Sequence, residues 1–117
     1  MIQAVAFRLG ERHFALPIGI VKEVLKSFSL TRLPQASPHV AGVMNLRGMI
    51  VPVVDLRIFL EVSEYSLRPH LVVAELGKEW VGFMVDKILP VCWLPPDSPS
   101  LLHLAALFRR DEEISLL

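Results

Sequence analysis

The chain has 117 residues, enough for one domain with its own core, and its 12 basic and 12 acidic side chains give a formal net charge of zero. Nucleic-acid binding normally requires a basic excess, so this balance argues against that function. A single cysteine excludes an internal disulfide, and no apolar run approaches the roughly 20 residues of a membrane span, so we expect a cytoplasmic protein.

The first segment of the chain has the pattern of a β-hairpin. Val5, Phe7 and Leu9 alternate with smaller or charged residues, which is the period of a half-buried strand. Residues 10–12 follow as a turn, and residues 13–17 return as a second apolar segment. The pattern predicts two antiparallel strands joined by this turn.

Three further pairs of apolar segments are joined by short turns, and we expect each pair to form a hairpin. The turns contain Gly48, Gly77 or the charged residues 109–113. The paired segments are residues 40–46 with 49–56, residues 71–76 with 80–85, and residues 105–108 with 114–117. Many short strands with regular turns predict an all-β barrel or sandwich.

Helices are expected to be scarce, because nine prolines interrupt the sequence and few windows keep a helical period. Residues 55–60 predict one short helix, with Asp55 as its N-cap. Residues 20–25 fit both strand and helix spacing, so the pattern leaves their structure open.

The order of hairpin, connector and hairpin occurs twice along the chain. Leu9-Gly10 returns as Leu76-Gly77 after 67 residues, and the second hairpin returns after 63 residues. The charged residues 61–69 are the predicted connector between the two copies.

The repeat predicts a single domain, residues 1–117, in which two similar β-subdomains share one core. The approximate halves are residues 1–66 and residues 67–117. The second copy reaches only the position equivalent to Val54, so residues 55–60 have no counterpart in it.

Residues for catalysis or metal binding are not grouped in this sequence. The four histidines are scattered, and no G-x-S-x-G pattern or phosphate-binding glycine loop occurs. Cys92 lies in an apolar segment, which predicts a buried structural thiol. Asp55 and Asp86 end apolar runs, and we interpret them as strand-end turns or caps. The sequence therefore predicts neither an enzyme nor a metal or cofactor site.

The turn before residue 49 combines polar side chains with a glycine. Asn45 and Arg47 lie between two apolar segments, and Gly48 permits a positive φ there. Arg47 could offer its planar donors to a carboxylate of a partner from this rigid platform. The alternative is that Asn45 and Arg47 only satisfy nearby backbone carbonyls, and the residues alone leave both interpretations open.

Three segments of the sequence together resemble one protein family. Residues 42–57 resemble the signature of CheW-like domains, G-V-x-N-L-R-G-x-I-V-P-V-V-D-L-R. Residues 21–25 resemble the V-x-E-I-L strand of that family, and residues 81–86 its V-G-I-x-V-D strand. The similarity extends from about residue 3 to residue 117, and three motifs in the right order make it specific.

The resemblance implies an all-β fold of two five-stranded SH3-like barrels around a common hydrophobic core. It also implies a non-enzymatic adaptor without a cofactor, which couples the cytoplasmic tip of chemoreceptors to the regulatory domain of a CheA-type histidine kinase. Such adaptors work at receptor arrays on the inner face of the membrane. The competing hypotheses are a CheW-like module of a non-motility chemosensory system and an array cap or competitor without a full kinase interface.

By motif position, the resemblance implies a set of partner-binding residues. Val21 and Glu23 would line a receptor groove between the barrels, and Gly42 would allow close approach near it. A polar turn would contribute further partner contacts. This turn consists of Asn45, Arg47 and Gly48.

The sequence departs from the family pattern after its last apolar segment. That segment reaches Leu117 without the further segment and helix that usually follow. We therefore expect a second barrel shortened at its carboxyl terminus, with an incomplete kinase-facing part and strand edges open to self-association.

Overall fold

β-Strands make up most of the fold. The computed structural model describes residues 1–34, 36–59, 61 and 66–99. Among these residues, no helix is long and apolar enough to span a membrane. The strands that they form are β1 Ile2–Leu9, β2 Arg12–Pro17, β3 Val21–Leu25, β4 Val40–Leu46, β5 Met49–Asp55, β6 His70–Leu76, β7 Glu79–Val85, β8 Lys87–Ile88 and β9 Cys92–Leu94.

The three hairpins predicted within the described residues are confirmed. β1 and β2 pair around Gly10, β4 and β5 around Gly48, and β6 and β7 around Gly77. All three glycines have a positive φ, which glycine adopts without steric penalty. The fourth predicted hairpin, residues 105–117, lies outside the described residues.

The two segments for which a helix was considered have different structures. In the ambiguous segment, residues 20–25, Ile20 ends a 3-10 turn that begins at Ile18, and the remaining residues form β3, which pairs with β6. The predicted short helix is present as α1, Leu56–Phe59. Asp55 caps it as expected, since its Oδ1 accepts the backbone N–H of Arg57 at 3.0 Å.

The strands form two sheets. In the first, β1 lies between β2 on one side and both β8 and β9 on the other. The second has the order β3-β6-β7-β5-β4, in which β5 and β7 run parallel. Each sheet takes strands from both sides of residue 66, so hydrogen bonding does not separate the predicted halves, and that division stays a prediction.

The second sheet closes on itself into a barrel, which we call the closed barrel. The chain leaving β3 crosses to β4, where Thr31 and Val43 exchange two backbone hydrogen bonds of 2.8 and 2.9 Å. This bridge joins the segment after one edge strand to the other edge strand. The closure hides strand edges that would otherwise be open to another chain.

One face of the central strands β5, β6 and β7 forms a core shared by both sheets. Val54, Val72 and Phe83 pack there against Phe7 and Leu16 of the first sheet, and all five side chains are buried. Among the described residues, the largest cluster of buried apolar side chains therefore lies between the sheets.

The opposite face of β5, β6 and β7 fills the closed barrel. Val53, Leu71 and Val73 are also fully buried and pack with Met44 and Leu46 of β4. These strands are therefore apolar at consecutive positions, as is usual for strands covered on both faces. The predicted all-β fold with a common core is confirmed.

An ion network of Asp55, Arg57 and Asp86 lies at the carboxyl ends of β5 and β7. The guanidinium of Arg57 donates to the two oxygens of Asp55 at 2.9 and 3.0 Å and to Asp86 Oδ1 at 3.3 Å. The Arg57 side chain is only 5% exposed. Burial disfavours its charge, but the hydrogen bonds and charges of both carboxylates outweigh this effect and raise the pKa of Arg57.

The same network connects separate parts of the chain. Arg57 donates to the backbone oxygen of Ser66 at 2.6 Å, and Asp86 accepts the backbone N–H of Ser66 at 2.9 Å. Asp86 also accepts the backbone N–H of Gly10, in the β1–β2 turn of the first sheet. The interpretation of Asp55 and Asp86 as residues that hold strand ends is confirmed, and Arg57 links them.

Replacing Arg57 tests the contribution of this network to stability. Arg57→Met keeps much of the side-chain volume but leaves two buried carboxylates without their cation, so we expect the free energy of unfolding to fall by about 3–5 kcal/mol. Urea denaturation followed by circular dichroism measures this change.

The matched control is Lys22→Met, which removes an exposed ion pair to Glu75 with an N–O distance of 3.7 Å. Surface pairs contribute little, so the expected loss is under about 1 kcal/mol. Equal losses in the two variants would contradict a stabilising role of the network.

Candidate functional site

The β4–β5 turn has a fixed backbone conformation. Arg47 and Gly48 have φ values of 50° and 89°, so both central residues are in the positive region that short hairpin turns of type I′ require. Asn45 supports the turn, because its Oδ1 accepts the backbone N–H of Gly48 at 2.7 Å. Arg47 is thus presented from a rigid hairpin, although φ near 50° is uncommon for a residue with a side chain.

Arg47 forms a two-bonded ion pair with Glu23 of β3. Its two terminal nitrogens donate to the two carboxylate oxygens at 3.0 and 2.5 Å. The side chain of Arg47 is 69% exposed and that of Glu23 is 24% exposed, so the pair lies at the protein surface. The hydrogen bond from Arg47 lowers the pKa of Glu23, against a smaller opposing effect of desolvation, and Glu23 in turn raises the pKa of Arg47.

Neither interpretation of the turn describes this arrangement in full. Asn45 accepts from a backbone N–H and Arg47 donates to a carboxylate of its own chain, so neither contact is to a backbone carbonyl. The guanidinium does bind a carboxylate, but the carboxylate belongs to Glu23. Contact of these residues with a partner stays a prediction.

Gly42 is required by the closure of the barrel. Its φ is 151°, and a Cβ atom at this position would lie 2.3 Å from the backbone oxygen of Thr31, well inside van der Waals contact. The close approach expected at Gly42 is therefore made by Thr31 of the same chain, beside a register shift between Val40 and Gly42. Any larger residue would push the bridging segment away from β4.

Val21 begins β3 and contributes to the interior. It is half-buried and packs against the shared core. The structure thus brings Glu23, Arg47 and the rest of the polar turn together, whereas Val21 and Gly42 support the elements that carry them. A partner contact of Val21 or Gly42 stays a prediction.

Exposed apolar side chains lie on the same two elements as the ion pair. Ile50 is 63% exposed, Val24 is 45% exposed and Met49 is 40% exposed. Ile50 stands opposite Asn45 in the β4–β5 ladder. We call Glu23, Arg47, Val24, Met49 and Ile50 the rim surface.

The exposure of Val24, Met49 and Ile50 is not evident from the sequence pattern. They belong to apolar segments of the kind that usually form a core, and burial cannot be read from an apolar run alone. Their position in the sequence does indicate exposure for two of them. Met49 and Ile50 directly follow the β4–β5 turn, and the turn end of a hairpin often projects past the protein core.

Metal-ligating side chains are not clustered among the described residues. No three His, Cys, Asp or Glu side chains in that part of the chain lie close enough to hold a metal ion. Cys92 is only half-buried, against the small cluster of Ala4 and Ala15, so the expected full burial is not observed. The rim surface offers shape, apolar area and hydrogen-bond donors, which are the components of a recognition surface.

The sequence is similar to proteins of one known family. The sequence model of the CheW-like domain family matches residues 3–112. The chain is 34% identical to the "Chemotaxis protein CheW" of Rhizobium meliloti (strain 1021) over 88 residues, which cover 74% of this chain and 57% of the relative. It is 36% identical to "Protein PilI" of Pseudomonas aeruginosa over 98 residues, covering 82% and 55%. The matched part is thus little more than half of each relative.

A solved structure has the same fold. The scaffolding protein TtCheW from Thermoanaerobacter tengcongensis superposes with a TM-score of 0.77 at 30% identity, covering 83% of this chain and 68% of that protein. The likeness confirms the predicted pair of SH3-like β-barrels. The predicted shortening of the second barrel concerns residues 100–117, which lie outside the described residues.

The pair between Glu23 and Arg47 can be tested by the titration of Glu23. Arg47→Ala removes the donor, so we expect the pKa of Glu23 to rise toward its ordinary value and the titration midpoint to move to higher pH. Carbon-detected NMR of the Glu23 carboxyl group measures the midpoint. Lys22→Ala, a change on the adjacent residue, serves as the control and should leave it in place; an unchanged midpoint in Arg47→Ala would show that the pair does not form in solution.

The closure of the barrel can be tested at Gly42. Gly42→Ala places a methyl group against the Thr31 carbonyl in an unfavourable backbone conformation, so we expect the free energy of unfolding to fall by about 2 kcal/mol or more. The control is Gly19→Ala, because a Cβ there would meet no atom within 4 Å. That change should alter stability by less than about 1 kcal/mol. Similar values for the two variants would contradict a steric requirement at Gly42.

Proposed function

Because the chain belongs to the CheW-like domain family, we propose that it is a non-enzymatic adaptor in chemotaxis signal transduction. It couples the cytoplasmic signalling tip of chemoreceptors to the regulatory domain of a CheA-type histidine kinase. The adaptor works in the cytoplasm, at receptor arrays on the inner face of the membrane, and uses no cofactor. The relatives that are named chemotaxis proteins support this role over the competing hypothesis of a non-motility module.

The observation that carries the proposal is the rim surface. A rigid turn holds a two-bonded ion pair, and the elements that carry this pair also expose three apolar side chains, Val24, Met49 and Ile50. Apolar area with a few oriented polar groups is the usual composition of a protein interface. Such a surface suits a helical partner, whose apolar stripe covers Ile50 and its neighbours while polar side chains reach the ion pair.

The ion pair with Glu23 holds the Arg47 side chain in one orientation and leaves some of its donors available to a partner. A guanidinium has five N–H donors, and the contacts to Glu23 use one on each terminal nitrogen. The remaining donors can bind a carboxylate or carbonyl of the partner without breaking the pair. Because Glu23 already neutralises the charge and restricts the side chain, less desolvation and less ordering oppose binding at Arg47 than at a free arginine.

Binding to both proposed partners is the direct test. We expect the purified protein to bind a receptor signalling tip and, in a separate titration, the regulatory domain of its cognate kinase, measured by isothermal titration calorimetry. Binding to the receptor tip alone would support the array cap or competitor instead of the coupler. Binding to neither partner would overturn the proposal.

Substitutions at the rim surface show whether it is the contact. We expect Arg47→Ala to weaken binding of at least one partner by about tenfold or more, because a hydrogen-bonded charge near an apolar patch is lost. Lys22→Ala is the control on the same strand and should change affinity by less than about threefold. The exchanged pair Glu23→Arg with Arg47→Glu separates two roles. If the double variant binds the partner as the wild type does, the ion pair only maintains the structure of the turn. If it does not bind, Arg47 itself contacts the partner.

A further inference from the structure

A second surface feature lies where the chain leaves β3 and enters β6. It is an open groove of about 380 Å³. Phe28, Leu30 and Met84 line it with apolar side chains, and Lys26 and Arg68 line it with basic ones. We call these five residues the basic groove. It shares no residue with the rim surface.

The apolar floor of the basic groove is part of the closed barrel. Phe28 and Leu30 are half-buried and pack against the barrel core, and Met84 of β7 is 9% exposed. Thr31 fixes the end of this segment through its two backbone hydrogen bonds to Val43. The floor is therefore preformed, so that a ligand need not order it on binding.

Arg68 stands on a fixed backbone. Its N–H donates to Ser66 Oγ at 3.0 Å, and the backbone of Ser66 is held by Arg57 and Asp86. The buried ion network thus positions the basic side of the groove. The neighbouring Leu67 is 95% exposed, which adds uncovered apolar area beside Arg68.

The charge of the basic groove is not balanced within the described part of the chain. No carboxylate there lies within ion-pair distance of Lys26 or Arg68, although the whole protein has no net charge. The nearby carboxylate of Asp86 is bound by Arg57 and by backbone N–H groups. The pKa of His70 is lowered by burial and further by the charges of Lys26 and Lys87, which indicates a positive local potential.

We propose that the basic groove docks an acidic amphipathic segment of a partner protein. One large apolar side chain of that segment covers Phe28, Leu30 and Met84, and flanking carboxylates bind Lys26 and Arg68. The volume lies at the small end of the range for ligand pockets, about 300–1,000 Å³, which suits an anchoring side chain better than a bulky cofactor. Two cations beside an apolar floor select against neutral and basic segments, because these would leave the charges uncompensated.

Selection from a peptide library tests the proposal even while the partner protein is unidentified. A random 12-residue library displayed on phage is selected in parallel on the wild-type protein and on the double variant Lys26→Glu with Arg68→Glu. The wild type should enrich peptides that combine Asp or Glu with Leu, Phe or another large apolar residue, and the variant should not. The proposal is overturned if no peptide is enriched on the wild type over the variant, or if the enriched peptides are not acidic.

The affinity of the most enriched peptide, measured by fluorescence anisotropy, locates the contact. We expect the double variant to bind it at least about tenfold more weakly, and higher salt to weaken wild-type binding. Lys78→Glu makes the same change of charge sign in the exposed β6–β7 turn and should alter affinity by less than about twofold. An effect of Lys78→Glu as large as that of the double variant would show only a general charge effect and overturn the proposal.

Two further variants make the result specific. Arg47→Ala should leave the peptide affinity unchanged, which separates this groove from the rim surface and from the proposed coupling function. Replacing the acids of the peptide by lysine should restore binding to the double variant and abolish binding to the wild type. Failure of this exchange in either direction would contradict direct pairing with Lys26 and Arg68.

Discussion

Burial of β5, β6 and β7 on both faces is the constraint on which the rest of the structure depends. Val72 and Phe83 pack into the core shared by the two sheets, while Leu71 and Val73, at neighbouring positions, pack inside the closed barrel. A strand with two buried faces cannot also carry exposed functional groups. Polar and partner-facing residues are therefore confined to turns, strand ends and edge strands, and Arg47 lies in one such turn.

Local features of the sequence were sufficient to predict the elements, because each depends on a few neighbouring residues. Gly10 and Gly77 mark the turns of two hairpins, and Asp55 caps the helix that follows it. Contacts between distant positions could not be predicted in this way. Nothing within either segment indicates that Arg47 pairs with Glu23, 24 positions earlier, since the contact arises only when the barrel closes.

The resemblance predicted the polar turn and β3 as site elements, but not what each residue does within the fold. Gly42 permits the seam between Thr31 and β4, and Val21 packs on the shared core, so both have a structural role that motif position does not reveal. The exposure of apolar residues such as Ile50 was not predicted, because an apolar run does not indicate which of its residues remain exposed in the folded protein. Two surfaces result, one around the ion pair and one around Lys26 and Arg68, which have no ion-pair partner among the described residues, and a single small barrel presents both.

Burial of β6 and β7 on both faces also means that the hydrophobic pattern alone does not fix the register of these strands. In a sheet with one wet face, a shift by one residue exposes the apolar side chains, and water thereby enforces the alignment. β6 and β7 have no wet face over their central residues, so a shifted arrangement would still be apolar on both sides. Their alignment must come from shape and from the strand ends. Gly82 leaves room for Leu71 and Val53, because a Cβ there would lie 3.2 Å from each of them. Asp86, at the end of β7, is bound by Arg57 and by the backbone N–H of Ser66, so a shifted strand would lose these bonds. Gly82 and Asp86 thus help to select one alignment of strands whose stability comes from the larger apolar residues.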